Sequence, residues 1–443
     1  MNSLRYDILP HRAAIGRRQL LAAVLLTALA CRPAAPPPAP IPAPAPAPGP
    51  TEAERAAARA ERERARLDSV RAAAAAATAR APRVRARPAA RHDTLGVREL
   101  RGPVRVCAGG DVTLGTNLDT AWARKAAARM RKDFQRDDAP ATLLAPLRSL
   151  VSSADIVLLN VESAIGAGPT AGKCGRRSRN CYAFRSPPAS APALRALAPG
   201  RTIVGNVANN HALDAGARGR DSTIAALARA GILVTGDDTL ATPVPTPAGD
   251  TIGVLGFHTS TEMPDARDTA AVYRHVSRAF ERYPVVIATM HLGAEGKDAQ
   301  RTADSSEIFL GSIDRGNPVA FAEAAVRGGA ALVVGHGPHV LRALEWSDRG
   351  ALIAYSLGNL LTYGPFVLKE PLNRGAVLCA TIDATGRVAN ATLGSTMQRA
   401  PGVLETDPSA RAAALTDSLG RLDFPATGAR VSPSGEIRPR VQR

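Results

Sequence analysis

Residues 331–339 read Ala-Leu-Val-Val-Gly-His-Gly-Pro-His. Four small or branched apolar residues lead into a glycine, then two histidines that flank a Gly-Pro pair. The apolar run is short and bounded by turn residues, so it reads as a buried strand. The histidines fall where that strand leaves its sheet. The same pattern recurs along the chain. Val104–Cys107 runs into Gly109-Gly110-Asp111, and Ile156–Leu159 into Asn160-Val161-Glu162. Thr202–Val204 leads to Gly205 through His211, Val285–Met290 to His291, and Leu352–Tyr355 to Ser356-Leu357-Gly358-Asn359. Ile252–Phe257 and Ala376–Ile382 are further strand-like runs.

Helical stretches separate several of these strands, near 140–152, 190–198, 220–230, 271–282 and 318–328. Short apolar strands alternating with helices predict an α/β domain with buried sheets. In such domains functional groups collect at the carboxyl ends of strands. Each polar motif alone is equally a turn or a helix cap. Together they place His211, His291, His336 and His339 at strand ends, with Asp111, Glu162 and Asn210 at others. Carboxylate, amide and imidazole donors from separate strands suit a divalent metal. Two adjacent ions could polarise a phosphoryl oxygen and lower the pKa of water.

The ordered motifs carry a family resemblance. They are Gly110-Asp111, Asn160-Val161-Glu162, Ala208 to His211 with Asp214 and Gly216, His291-Leu292-Gly293-Ala294-Glu295, Gly335 to His339, and Tyr355 to Asn359. The set resembles the CapA family of capsule and poly-γ-glutamate synthesis proteins, within the calcineurin-like metallophosphoesterase superfamily. The resemblance spans about 103 to about 395. It implies a four-layer α-β-β-α sandwich of two mixed sheets with helices outside. It implies Asp111, Glu162, Asn210, His291, His336 and His339 as metal ligands, with His211 as the histidine that helps protonate the leaving group. Substrate contacts are expected from Asn160, Glu295, Asn359 and Arg185. The expected cofactor is a divalent metal, Mn, Zn, Fe or Mg, as one or two ions. One departure stands out. Where the superfamily has Asp-x-His, this chain has Asp111-Val112-Thr113, and a hydroxyl is a much poorer transition-metal ligand than imidazole.

The chain has 443 residues and a formal net charge of +17. Residues 1–92 hold sixteen arginines against six acids, and 425–443 add four arginines against one acid. The remaining segment is only mildly basic, which removes the main support for nucleic-acid binding. Arg12, Arg17 and Arg18 precede the apolar run Leu20 to Ala30, then Cys31. That order is a secretory signal, too short for the ~18 apolar residues of a permanent span. It resembles a bacterial lipoprotein signal with Cys31 as the lipidated residue, and Gly16 to Leu21 also resembles a twin-arginine export signal. Ten prolines between Pro33 and Pro50 make a semi-rigid spacer.

The expected organisation is a signal peptide over 1–31, a Pro/Ala-rich linker over 32–50 and an Ala/Arg/Glu-rich helical stalk over 51–92. The CapA-like domain follows over 100–400, then a partly disordered extension over 401–443. Cys174 and Cys181 flank a short loop and are a possible disulfide in an exported protein. Cys107 and Cys379 sit in apolar strands and read as core residues.

Three functions stay open at this stage. One is a lipid-anchored envelope protein in synthesis, export or anchoring of an anionic capsule-type polymer such as poly-γ-glutamate. Another is a periplasmic metal-dependent phosphoesterase on a small or lipid-linked phosphate; a binding module with a decayed metal site is a third. The expected partners are an anionic polymer or phosphate substrate, the membrane through the lipid anchor, and other capsule-synthesis membrane proteins, with no nucleic acid.

Overall fold

The computed structural model describes residues 99–116, 118–167, 182–260 and 264–440. The signal peptide, linker and stalk, Cys31, and the Cys174–Cys181 pair lie outside the described residues.

The first half of the domain supplies β1 (Val104–Leu114), β2 (Ile156–Val161), β3 (Ala164–Ile165), β4 (Arg185–Ser186), β5 (Thr202–Asn206) and β6 (Leu233–Thr235). Then come β7 (Thr242–Pro245), β8 (Thr251–His258), β9 (Val286–His291), β10 (Ile308–Phe309), β11 (Ile313–Asp314), β12 (Ala330–His336), β13 (Leu344–Trp346) and β14 (Leu352–Ala354). The chain closes with β15 (Asn359–Tyr363), β16 (Arg374–Ile382), β17 (Val388–Arg399), β18 (Val403–Thr406), β19 (Arg430–Val431) and β20 (Glu436–Arg438).

Two large sheets result. One runs β19-β20-β17-β16-β1-β2-β5-β6, with β15 on β1 and β18 on β17; the other runs β13-β14-β12-β9-β8-β7. Each mixes parallel and antiparallel pairs. Side chains alternate along every inner strand. Val106, Ile156, Leu158 and Val204 of the first sheet share one buried cluster with Ile252, Val254, Ile287, Leu332 and Val334 of the second. The sheets therefore pack face to face.

The opposite faces are apolar too, because helices cover them. Val157, Leu159 and Ile203 pack with α1 (Thr120–Phe134), α3 (Leu147–Val151), α4 (Ser190–Arg195) and α5 (Gly216–Arg229), and α2 (Pro140–Leu144) joins that layer. Leu255, Phe257, Val286 and Val333 pack with α6 (Thr269–Arg282) and α7 (Pro318–Gly328). The architecture is the four-layer sandwich expected. Local sequence fixes the helix ends. For α7, the Asn317 side chain caps the Val319 and Ala320 amides, Pro318 opens the helix, and Gly329 ends it at φ +108.

Two expectations need correcting. Cys107 and Cys379 are indeed buried, but they form a disulfide. They are register partners on antiparallel β1 and β16, which sets their side chains on the same face. Residues 401–440 are folded rather than a loose extension. β18 and β20 both pair with β17, and α8 (Arg411–Asp423) buries Ala412, Ala413 and Leu419. Arg374 and Asp407 form a buried ion pair at 2.8 Å that ties this segment to β16. The apolar residues of 401–440 are spaced to meet the sheet edge, a pattern broken up by the Pro, Gly, Ser and charged residues between them.

Candidate metal centre

Strand register brings the polar ends together. On the first sheet, Asp111 aligns with Asn359 and Asn160, and Asn160 with Asn206. On the second, His258 aligns with His291, and His291 with His336. Two polar rows thus face each other at the same end of the sandwich. The β1 row needs a bulge between Ala108 and Asp111. Gly110 lies there so close to the Gly358 carbonyl that no side chain would fit.

Asp111, Glu162 and His291 form a buried group whose ligand atoms all lie within 4.8 Å of one another. Glu162 Oε1 is 3.5 Å from His291 Nε2 and 3.7 Å from His339 Nε2. Asp111 Oδ2 is 3.1 Å from His339 Nδ1, and its Oδ1 is 3.9 Å from His336 Nδ1. Asn160 donates to Asp111 Oδ1 at 2.8 Å and lies 3.2 Å from His291 Nδ1. Asn206 and Asn209 each donate to Asn160 Oδ1 at 3.1 Å, which fixes that amide. His339 Nδ1 also lies 3.1 Å from Asn359 Oδ1.

The electrostatics are those of a site short of positive charge. Burial and the neighbouring Asp111 charge push the Glu162 carboxyl well above the usual range. Burial acts on Asp111 in the same direction, but the hydrogen bond and charge of His339 outweigh it and hold the group below its ordinary value. Burial takes His336 down to about 4, and burial with the Arg315 charge takes His291 well below its ordinary value. His339 goes the other way. Burial opposes its charge, but Glu162 and Asp111 carry it up to about 10.

Whether these residues fit a cation is decided by their unused atoms. Both oxygens of Glu162, Nε2 of His291 and both nitrogens of His336 are buried without a hydrogen-bond partner among the described residues, and Asp111 Oδ2 faces the His339 ring at 3.1 Å. Two adjacent carboxylates and neutral imidazoles converging in this way suit a divalent ion. Thr113 stays apart: its hydroxyl donates to the Glu162 carbonyl at 3.0 Å and supports the backbone instead.

The other expected residues are distributed around this cluster. His211 Nδ1 is 2.5 Å from Asp214 Oδ2, which also accepts from the Phe184 amide at 2.7 Å. Asn210 donates to Glu295 Oε1 at 3.4 Å, while the deeper amide is its neighbour Asn209, bonded to Asn160 and the Val161 carbonyl. Glu295 Oε2 is 3.9 Å from His339 Nε2. Arg185 is buried on β4 with its guanidinium packed over Gly166, so the β3–β4 ribbon places it.

Three residues escaped the sequence reading. His258 ends its strand just as His291 does, and its ring lies 5.4 Å from that of His291; the strand-end rule would have found it. Asp214, a motif position without an expected role, pairs with His211. Arg315 had no local signal. It lies 24 positions beyond His291 on a segment whose path only the fold reveals, and its Nη2 is 3.0 Å from Glu295 Oε1.

The class follows from this arrangement: a four-layer α/β protein with a carboxylate–histidine centre between its two sheets. The model of the family described as bacterial capsule synthesis protein PGA_cap matches residues 105–363, more than half of the chain, and the chain belongs to that family. Two probable polyglutamine synthesis accessory proteins of Mycobacterium tuberculosis, from strains CDC 1551 / Oshkosh and ATCC 25618 / H37Rv, are 35% identical over 149 residues. That match covers 29% of this chain and 37% of each relative's length. Among solved structures, a novel phosphatase from Mycoplasma pneumoniae aligns with TM-score 0.39 and 14% identity, over 71% of this chain and 96% of that one.

Proposed function

We propose that this is an exported cell-envelope protein that serves the synthesis, export or anchoring of an anionic capsule-type polymer, of which poly-γ-glutamate is the model. The site at the strand ends is its working centre. One observation carries the reading: in a capsule-synthesis family member, Asp111, Glu162 and His291 converge from both sheets, with the Glu162 carboxylate and His291 Nε2 lacking hydrogen-bond partners among the described residues. His336, His339 and Asn210 border the same centre. A divalent ion bound there would act as a Lewis acid toward an anionic oxygen. The chain's own residues do the rest. Asn160 orients Asp111 and His291, and Asp214 fixes the tautomer of His211 so that it can hold a proton for transfer.

Export is supported by the signal-like segment ending at Cys31 and by the Cys107–Cys379 disulfide, which an oxidising compartment favours. Lipidation of Cys31 would hold the protein at a membrane. Among the described residues no helix is long and apolar enough to cross one. Membrane proteins of the same polymer machinery are the expected protein partners.

A metal-dependent phosphoesterase is the second reading, and the His211–Asp214 pair beside the cluster favours it, since polymer binding alone needs no such dyad. The test is complementation of a deletion strain by the wild type, His211→Ala and Glu162→Gln, with surface polymer quantified and the purified proteins assayed on bis-p-nitrophenyl phosphate with Mn²⁺. Loss of polymer with both variants supports the first reading. Full polymer from Glu162→Gln sinks it, and absent turnover by the wild type sinks the second.

A further inference from the structure

The chain is poor in aromatics, with eight Phe, six Tyr and two Trp among 443 residues. Three of them gather beside the metal centre. The Phe184 and Phe366 rings stack with centroids 4.7 Å apart, and Tyr182 stacks on Phe184 at 6.3 Å. The group reaches two histidines of the site. Phe184 lies 4.7 Å from the His211 ring, and Phe366 lies 6.3 Å from the His339 ring.

Backbone bonds hold these rings in place. The Phe184 amide donates to Asp214 Oδ2 at 2.7 Å, the oxygen that also lies 2.5 Å from His211 Nδ1. One carboxylate therefore positions both His211 and Phe184. Phe366 follows β15 on a tight turn, where its amide donates to the Gly364 carbonyl at 2.7 Å.

Exposure shows which way the centre opens. The side chains of Asp111, Glu162, His291 and His336 are at most 1% exposed. Those of His339 and Glu295 keep 12% and 15%. Solvent thus reaches the cluster on the His339 side, where Phe366 stands. Phe184 is buried and Phe366 half-buried, but Tyr182 is 54% exposed and the neighbouring Val367 63%. Apolar groups collected at the opening of a charged centre are the usual make-up of a ligand site, in which a few polar groups sit among apolar walls.

We propose that Tyr182, Phe366 and Val367 form an apolar subsite of this centre, so that its substrate joins a phosphoryl head to an apolar organic group. The head lies at the Asp111–Glu162–His291 cluster and the apolar group covers the rings. The proposal rests on the reading of that cluster as the working site, and it narrows the substrate class. A γ-linked glutamate chain carries a carboxylate on every residue and has nothing to cover this wall. An alkyl or alkenyl chain of a lipid phosphate does, and so does an aryl group, since aromatic faces accept both.

The full chain in detergent, with Mn²⁺, is titrated calorimetrically with methyl-, n-butyl- and phenylphosphonate, which share one head and differ in their apolar group. The wild type is expected to bind the butyl or the phenyl compound about tenfold more tightly than the methyl compound, the gain that half-burial of the added carbons gives. Phe366→Ala and Tyr182→Ala should each cut that preference to about threefold or less. A larger gain for butyl identifies a lipid chain as the natural group, and a larger gain for phenyl an aryl group. The proposal is overturned if the wild type binds all three within twofold, or binds none, or if both alanine variants keep the wild-type preference. It is overturned as well if methylphosphonate weakens as far as the other two in both variants, which would make the rings a support of the cluster. A wild-type dimer that Phe366→Ala converts to monomer in sedimentation, with the preference unchanged, makes the wall a subunit interface and also overturns it. Should an alanine variant not fold, Val367→Asp decides at an exposed position, where an unchanged preference overturns the proposal. An apolar preference in a chain that takes up no Mn²⁺ keeps the subsite and removes the metal centre; stoichiometric Mn²⁺ without the preference keeps the centre and removes the subsite.

Discussion

Glu162 Oε1 lies 3.5 Å from His291 Nε2, although the two residues belong to different sheets. β2 delivers the acid and β9 the imidazole, so the centre exists only where the sandwich is assembled. Loss of packing between the sheets would separate ligands before it disrupted either sheet. The behaviour of this pair is therefore tied to the stability of the whole domain.

The Cys107–Cys379 disulfide joins β1, which carries Asp111, to β16 across a sequence separation of 272 residues. Its loss should destabilise the domain by about 2–5 kcal/mol. Thermal melting of Cys107→Ser/Cys379→Ser under non-reducing conditions checks this. Peptide mapping of the alkylated wild type should find the two cysteines linked; free thiols at both positions would contradict the structure.

Metal uptake should depend on pH in a defined direction. In the metal-free protein His339, raised to about 10, carries a proton at neutral pH, and Glu162, raised by burial and by Asp111, favours its protonated form. Ligation requires both to be deprotonated, so binding releases protons and strengthens as pH rises, about tenfold per unit for each proton released. Mn²⁺ calorimetry in buffers of different ionisation enthalpy would reveal the release. Proton uptake, or affinity that is flat between about pH 6 and 8, contradicts it.

His211 is held by Asp214 and packs against Phe184, with ring centroids 4.7 Å apart and the rings tilted by 44°. If the site hydrolyses phosphoesters, His211→Ala should lower kcat by about 10²–10⁴ while keeping metal content, as expected for loss of a general acid. Asp214→Asn should impair the same step and also weaken folding, because Asp214 accepts the Phe184 amide. Steady-state kinetics beside elemental analysis separates these effects. A His211→Ala protein that loses its metal would place His211 among the ligands.

Much of this was legible before any coordinates. Strands such as Val285–Met290 and Ala331–Val334 are short, apolar and bounded by turn residues, so their existence and the polar character of their ends could be read directly. Glu162 and His291 could be named as partners only through the family resemblance, since their meeting depends on how two sheets stack. β17 (Val388–Arg399) was missed because its residues alternate between buried and exposed, with Asn, Gly and Ser among them. Cys107 and Cys379 looked like core residues because they are core residues. Their bond depends on strand register, which local pattern does not specify. Arg315 was invisible for a related reason, since a Glu307–Arg342 ion pair sets its position.

The most direct test of the central claim is the metal content of the purified full chain against Glu162→Gln after incubation with Mn²⁺ or Zn²⁺ and desalting. The wild type should retain at least one ion per chain. Glu162→Gln should retain less than about a tenth as much, while melting at the same temperature or higher, because it removes a buried acid beside Asp111. A wild type without stoichiometric metal, or a Glu162→Gln protein that keeps it, would contradict the account.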